Sequence, residues 1–294
     1  MPYSKKLFLT GATGLIGKEL YKPLSEQGFE VYALTIDDIN PQIPNITWLK
    51  GNIFDDAKLA DFFAEIRPEY LLNMAWCTSG DYQTSNLNFD FVRAGLSLLK
   101  NFALNGGKRA VFAGTCLEYA PKDSPIKETD AILPSCIYAY CKHALHGLAE
   151  QFCRKNNISF AYGRIFYVYG KNEHPKRLTA SIINRLKAGE KVQINHVQLK
   201  KDYLYTKDIA SAFVRLLSSG VTGDVNICSG KEISLAEFAR AIASRLGKEN
   251  LLDLCNLPTQ QPLSIVGDNT RLCKEVGFTP KYTLDTALDE ILDK

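Results

Sequence analysis

The sequence predicts an α/β protein: a doubly wound parallel sheet with a smaller, mostly C-terminal α/β lobe. Two observations predict it. Up to about residue 166, apolar strand-like runs alternate with helical patterns. Strands joined by crossover helices pair in parallel, because each crossover brings the chain back to the same end of the sheet. Beyond that point the alternation breaks into short, irregular segments of the kind that build a second lobe.

Residues 7–10 read as the first strand and 18–27 as the helix after it, ended by Gly28. Residues 30–35 and 46–50 are the next two strands. Residues 58–66 are helical and stop at Arg67-Pro68, since the residue before a proline is pushed out of the α region. Residues 70–75 form a fourth strand, 87–104 a long helix ended by Asn105-Gly106-Gly107, and 109–114 a fifth strand. A second long helix follows at 138–155, then a strand at 159–165. In the last third, 178–188 is helical and ends at Gly189, while 192–197 and 200–205 are short and strand-like. Residues 206–218 form a helix that returns to the main sheet, and 225–228 adds a strand. Ser234 and Glu237 open a helix over 234–246 with the spacing of a capping box.

Composition narrows the function. A chain of 294 residues with 46% hydrophobic content has ample material for a core. A net charge of +3, with scattered basic residues, argues against a nucleic-acid partner. No apolar run approaches the roughly 20 residues that span a bilayer. Residues 1–6 lead straight into a strand and show no signal-peptide architecture, so the expected location is cytoplasmic. The eight cysteines, at 77, 116, 136, 141, 153, 228, 255 and 273, form no C-x-x-C pair and read as reduced thiols.

The most informative stretch is Leu7-Phe8-Leu9-Thr10-Gly11-Ala12-Thr13-Gly14-Leu15-Ile16-Gly17. An apolar strand runs into three glycines spaced G-x-x-G-x-x-G, which open a helix. The first glycine permits a tight turn, the second lets the backbone approach a pyrophosphate, and the third lets helix and strand pack closely. The helix N-terminus offers free N–H groups and the positive end of its dipole to phosphates. A glycine-rich turn with no ligand is the plain alternative, and the strand-turn-helix context argues against it. The expected architecture is therefore Rossmann-type. Residues 1–166, with about 206–230, form the dinucleotide-binding domain, and 167–205 with 231–294 form the substrate lobe.

Tyr138 and Lys142 form a Tyr-x-x-x-Lys pair at the start of a helix, where positions i and i+4 share a face. An ammonium beside a phenol favours phenolate, and at 4 Å and an effective dielectric near 20 the pull is about 4 kcal/mol at most. A tyrosine so placed becomes a proton donor or acceptor near neutrality. Tyr140 is the poorer candidate, because its i+4 neighbour is Ala144.

Together these features resemble the nucleotide-sugar branch of the extended short-chain dehydrogenase/reductase family, the NAD-dependent epimerases and dehydratases. The resemblance covers nearly the whole chain and rests on five ordered segments. GATGLIG (residues 11–17) matches the glycine signature, and Tyr138 with Lys142 the catalytic pair. VFAGTCLEY (111–119) is similar to the strand end that carries a third catalytic residue, which falls on Thr115. RIFYVYG (164–170) and LKKDYLYTKDIA (199–210) are similar to the stretches that follow. The resemblance implies that Thr115 and Tyr138 hydrogen-bond a substrate oxygen that alternates between hydroxyl and ketone. Tyr138 carries the proton and the nicotinamide the hydride, while Lys142 lowers the tyrosine pKa and holds the nicotinamide ribose. The plain alternative for Thr115 is a hydroxyl that caps its own strand end.

Departures from the family pattern narrow the reaction. Dehydratases of this branch follow the threonine with Asp-Glu; here Cys116 and Leu117 follow, so elimination has no evident catalyst. The 3,5-epimerase/reductase type has a cysteine two residues before the tyrosine, where this chain has Leu117. Cys116 is thus expected to line the pocket. The preferred reading is reduction of a 4-keto nucleotide sugar, with 4-epimerisation as the runner-up. A catalytically silent dinucleotide sensor is the third reading, and such proteins usually lose the Tyr and Lys kept here. The base, CDP, dTDP, GDP or UDP, stays open.

The resemblance also assigns binding residues. Thr13, Leu15 and Ile16 of the glycine turn, with Thr35, Asp37, Asn52, Ile53, Met74, Ala75 and Trp76, are expected to line the dinucleotide site. Cofactor choice turns on the end of the second strand, where an acid suits NAD and an arginine suits NADP. Thr35 takes that position and Asp37 comes two residues late; the expectation leans to NADP(H) over NAD(H) by analogy with biosynthetic reductases. Substrate contacts are expected from Cys116, Leu117, Tyr167, Arg177 and Lys201. Tyr167 stands where the family usually has Asn, and Lys201 where an Arg often meets the pyrophosphate; a lysine supplies the charge without the bidentate fork. The long helix at 87–104 has Phe91 in place of the usual asparagine, with Asn88 one turn earlier as the candidate substitute. His143 and His146 lack an evident third ligand, and no metal is expected. The resemblance implies a homodimer through the helices 87–104 and 138–155.

Overall fold

The computed structural model describes residues 5–38, 41–259 and 263–293. Its main sheet holds seven parallel strands: β1 (Lys5–Thr10), β2 (Phe29–Thr35), β3 (Ile46–Lys50), β4 (Tyr70–Asn73), β5 (Arg109–Thr115), β6 (Ser159–Ile165) and β11 (Gly223–Ile227), in the order β11-β6-β5-β4-β1-β2-β3. From β1 the chain steps outward to β2 and β3, then crosses back to place β4 on the other side of β1. The strand order reverses there, and the crevice outside the carboxyl ends of β1 and β4 is where such sheets bind ligands. Thr10 fixes that end: its hydroxyl donates to Asn73 Oδ1 at 2.6 Å and accepts the Ala75 N–H at 3.2 Å.

Side chains alternate along each strand, and both faces are covered. Leu7 and Leu9 join a core completed by α1 (Tyr21–Glu26), α6 (Thr206–Ser218) and α8 (Thr270–Lys274). Phe8 points the other way, into a core built by α2 (Asp56–Ile66), α3 (Leu87–Leu104) and α4 (Ile137–Lys155). Gly95 lets α3 and α4 approach, since a Cβ there would lie 2.6 Å from Leu145. Arg109, at the start of β5, is buried and clamps the end of α6. Its guanidinium donates to the carbonyls of Leu217 (3.0 Å), Leu216 (2.7 Å) and Val221 (2.8 Å), where a helix dipole favours a cation.

The smaller lobe has its own core, around Tyr169, Ile182, Leu186, Phe238, Ile242 and Leu288. It contains β7 (Tyr167–Tyr169), α5 (Leu178–Lys187), β8 (Val192–Ile194), β9 (Lys200–Lys201), β10 (Tyr203–Tyr205), β12 (Ile233–Ser234), α7 (Leu235–Leu246), β13 (Leu252–Leu254), β14 (Ser264–Ile265) and α9 (Leu284–Ile291). β7 pairs with β10, β8 with β13, and β9 lies between β12 and β14.

Several elements differ from the sequence reading, among them the strand expected at 192–197, which ends at Ile194. The single helix expected at 18–27 is a 3-10 turn (Gly17–Glu19) followed by the short α1. Pro23 explains the break: it has no N–H for the carbonyl four residues back, and the ladder resumes with Leu24 N–H to Leu20 at 3.0 Å. The run expected at 200–205 is two short strands divided by Asp202. That buried carboxylate accepts N–H groups from Ser229 (2.8 Å), Gly230 (2.9 Å) and Gly267 (3.2 Å), which pulls the chain out of register with a single ladder. The strand expected at 70–75 ends at Asn73. All eight cysteines are free thiols. Among the described residues, no helix is long and apolar enough to cross a membrane.

Candidate active site

The glycine turn divides its labour among three residues. Gly11 has φ +73°, and a Cβ on it would lie 2.7 Å from the backbone of Met74 and Ala75 just past β4. A Cβ on Gly17 would lie 2.0 Å from the Gly11 carbonyl. These two are required by packing. Gly14 is exposed, and its Cβ would meet only the Gly11 carbonyl, at 3.2 Å. It is the one turn glycine whose missing side chain leaves room on the outside. Tyr21 braces the turn by donating to the Ala12 carbonyl at 2.7 Å.

Beside the turn lies a cavity of about 460 Å³, lined by Thr13, Leu15 and Lys18 on one side, by Trp76 and the residues after it, and by Arg177. Of the three residues that follow β4, Trp76 lines this cavity, while Met74 packs against the core and Ala75 is bonded to Thr10. Trp76 stacks on Phe91 with ring centroids 5.1 Å apart, and its indole N–H donates to Asn88 Oδ1 at 2.8 Å. The Asn88 amide nitrogen is bonded to the carbonyls of Tyr82 (2.7 Å) and Ser85 (2.8 Å). Asn88 holds the tryptophan and the loop before α3, and it lines a second cavity of about 280 Å³ with Tyr82, Ser85 and Phe91.

At the outer part of the dinucleotide crevice, Thr35 is buried and accepts the Asp37 N–H at 3.0 Å. Lys50 pairs in register with Thr35 across the sheet and bridges to Asp38. Asn52 is exposed and caps the Phe54 N–H at 3.0 Å, and the half-buried Ile53 packs against the core.

Tyr138 and Lys142 lie on one face of α4, as their spacing predicts, and both are buried against the end of β5. Tyr138 meets Trp76 and Tyr82 edge-on, at 6.1 and 5.0 Å between centroids. Lys142 Nζ donates to the Ala113 carbonyl at 2.7 Å and sits 4.0 Å above the Trp76 ring. Burial lowers the lysine to about 7, against a smaller upward pull from Glu118. Burial also raises the Tyr138 phenol well above its usual range, opposed by a hydrogen bond with Thr115 and reinforced by Tyr82, Glu118 and Cys116. The expected depression of the phenol pKa by the ammonium is thus absent here. Desolvation outweighs the attraction, and the lysine is directed at a carbonyl and an indole.

Thr115 ends β5, where it caps the turn that follows and also reaches the Tyr138 phenol. Its hydroxyl oxygen accepts the Leu117 N–H at 3.3 Å, and its side chain reaches Tyr138. A 3-10 turn (Cys116–Glu118) follows, closed as a capping box by Thr115 and Glu118. Cys116 is buried and its thiol is pushed up to about 12, chiefly by burial, so it is poorly suited to carry protons near neutrality. Leu117 packs beside Tyr167 in the cluster around Cys116. Lys201 is buried with its Nζ 5.0 Å above the Tyr167 ring. Burial lowers its pKa. Arg177 reaches from the small lobe to Thr78, donating to its hydroxyl at 2.9 Å, which puts it on the cavity beside the glycine turn. Lys176 is exposed.

Glu118 is the residue that sequence reasoning passed over. It is fully buried, and His143 and His146 lie close enough for the three to offer ligand atoms within 4.8 Å of one another. The third partner missing from the sequence reading therefore exists. A metal is nevertheless disfavoured, because the Arg164 guanidinium stands 3.2 Å from Glu118 and 3.4 Å from His146 Nδ1 and already supplies the positive charge. The sequence signal was present: Thr115 and Glu118 have the T-x-x-E spacing of a capping box.

A parallel sheet with a glycine turn at its switch point, and a Thr, Tyr and Lys at the end of β5 next to Trp76 on the cavity wall, mark an α/β protein of the oxidoreductase type. The chain belongs to the NAD dependent epimerase/dehydratase family, whose pattern matches residues 7–228. It is 24% identical to a dTDP-4-dehydro-6-deoxyglucose reductase of Escherichia coli, over 97% of this chain and 96% of that protein. It is 25% identical to a GDP-6-deoxy-D-mannose reductase of Pseudomonas aeruginosa, over 98% and 96%. Its fold is that of a UDP-glucose 4-epimerase of Thermotoga maritima solved with UDP-glucose, with a TM-score of 0.87, 22% identity and 98% of each chain covered. It is also that of the Thermus thermophilus enzyme of the same name, solved with NAD, with a TM-score of 0.83, 21% identity and 98% and 99% covered.

The turn geometry separates folding from binding. Gly17→Ala should destabilise the protein by about 3 kcal/mol or more, because backbone carbonyl cannot yield to a new methyl. Gly14→Ala should melt near the wild-type temperature yet weaken NADPH binding about tenfold, since a methyl there stands between backbone and pyrophosphate. Thermal unfolding with fluorescence titration of NADPH checks both.

Proposed function

We propose that this protein is an NAD(P)H-dependent reductase of a 4-keto nucleotide-diphosphate sugar. The observation that carries the reading is Thr115 within reach of Tyr138, with Lys142 one turn along the same helix face and its Nζ over Trp76, which lines the cavity beside the glycine turn. The relatives named for reductases of dTDP- and GDP-linked deoxysugars support it. Residues 1–166, with about 206–230, would hold the dinucleotide, and 167–205 with 231–294 the sugar nucleotide. The nicotinamide supplies hydride when bound. Thr115 and Tyr138 hold the ketone oxygen, and Tyr138, protonated at rest, gives it a proton. Lys142, titrating near 7, binds the ribose and carries charge at the site. Lys201 and Arg177 supply cations for phosphates.

Epimerisation begins with oxidation and needs a base at rest. The raised Tyr138 phenol and the inert Cys116 favour reduction. The reading is tested by offering dTDP-, GDP-, CDP- and UDP-linked 4-keto-6-deoxyhexoses with a reduced dinucleotide. One of them should oxidise it stoichiometrically, and Tyr138→Phe should cut kcat by about 10²–10⁴ with dinucleotide affinity kept. Interconversion of 4-hydroxyl epimers without net dinucleotide consumption would establish the epimerase instead.

The neutral Thr35 at the selective position, with Lys50 beside it to meet a 2′-phosphate, supports NADPH over NADH. Fluorescence titration should give the tighter Kd for NADPH, and Lys50→Ala should abolish the preference; a tighter Kd for NADH in the wild type would assign the ribose to Asp37.

The helices α3 and α4 expose Phe89, Tyr140 and Leu148, each more than half accessible, on adjoining surfaces. A second copy of the chain would cover them in a homodimer. Sedimentation velocity at roughly micromolar concentration should show a dimer, and Tyr140→Glu with Leu148→Glu a monomer.

A further inference from the structure

Behind the Thr115–Tyr138–Lys142 group lies a buried polar layer that hydride and proton transfer do not use directly. Glu118 Oε1 accepts the Thr115 N–H at 3.0 Å and faces the Tyr162 hydroxyl at 3.0 Å. The same hydroxyl lies 3.1 Å from the Lys142 carbonyl, so its single proton is shared between the two acceptors. Glu118 Oε2 takes Arg164 Nε at 3.2 Å. Arg164 continues to Asp224 (2.7 Å) and to the Tyr119 hydroxyl (3.1 Å), and Asp224 meets His146 Nε2 at 2.9 Å. Gly114 makes room for this layer: a Cβ there would lie 2.2 Å from the Tyr162 ring.

We propose that Glu118 is a positioning residue for the reduction, fixing the backbone of Thr115 directly and that of Lys142 through Tyr162. The inference rests on the reading of Tyr138 as proton donor. A buried ion pair adds little stability over apolar packing of the same volume, so stability alone does not account for a carboxylate at this depth. One of its bonds holds Thr115 directly and another reaches the Lys142 carbonyl by way of Tyr162. Its charge has a second effect. Burial alone would raise the Glu118 carboxyl, but His143, Arg164 and the Thr115 N–H outweigh it and hold the group ionised. Tyr138 is faced by this carboxylate, by Cys116 and Tyr82, and by Lys142 one turn along α4. Burial keeps the phenol protonated, the form that ketone reduction consumes, and the anion on that side adds to it.

The test compares Glu118→Gln and Tyr162→Phe with the wild type, using whichever 4-keto sugar nucleotide of the panel above is reduced. Glu118→Gln should lower kcat about 10–100-fold, the scale of a small misplacement of reacting groups, with KM and NADPH Kd within about twofold. Tyr162→Phe keeps the charge and breaks the link to Lys142; it should lower kcat about 3–10-fold, again with KM and NADPH Kd within about twofold. Removing one partner of a buried pair is costly, and if Glu118→Gln does not fold, Tyr162→Phe decides alone. Wild-type kcat in both folded variants, or a change confined to KM, overturns the inference while leaving the reductase reading intact. Failure of the wild type to reduce any of the panel overturns both.

Discussion

The site depends on the close approach of backbone to backbone at the carboxyl ends of β1 and β4. Gly11 presses against the chain just past β4, and Gly17 folds back on Gly11 with no room for a methyl group. Thr10 ties the two strand ends through Asn73 and Ala75. This cluster holds open the crevice where the strand order reverses, and everything that faces a ligand is placed relative to it. Trp76 leaves β4 from this point, Asn88 fixes its indole, and the indole face receives the Lys142 ammonium. The position of the lysine is thus set from the cofactor side of the crevice as well as by its own helix.

Charge is managed by burial in two different ways. Lys142 and Lys201 are buried lysines whose pKa values desolvation lowers, so both gain by meeting an anion. Glu118 and Arg164 are buried and Asp224 half-buried, all with partners, and they stay ionised. The first pair sits over aromatic faces, Lys142 over Trp76 and Lys201 over Tyr167. The second set gives the strand end a rigid polar backing.

Most of the sheet was legible in the sequence because buried parallel strands are continuous apolar runs and their crossovers carry helical periodicity. The glycine turn was legible because each glycine answers a separate steric demand. Local chemistry that competes with periodicity was harder to read. Pro23 broke the first helix, and Asp202 divided a strand through bonds to residues more than 25 positions away. The pairing of Tyr138 with Lys142 followed from helical spacing, but the direction of the tyrosine's pKa did not, since desolvation depends on Trp76, Tyr82 and Cys116, which arrive from other elements. Glu118 was hidden for the same reason: its capping-box spacing was visible, whereas its contacts with Tyr162 and Arg164 are made by a neighbouring strand.

The placement of Trp76 has an optical consequence. The chain has two tryptophans, and the other, Trp48, stands on β3 at the sheet edge with its indole bonded to the Pro41 carbonyl. Only Trp76 lines the crevice among them. Its emission overlaps the absorption band of a reduced nicotinamide, so occupancy of the crevice should be written in the quenching of one indole, giving the protein a built-in chromophore for following its own ligand in real time.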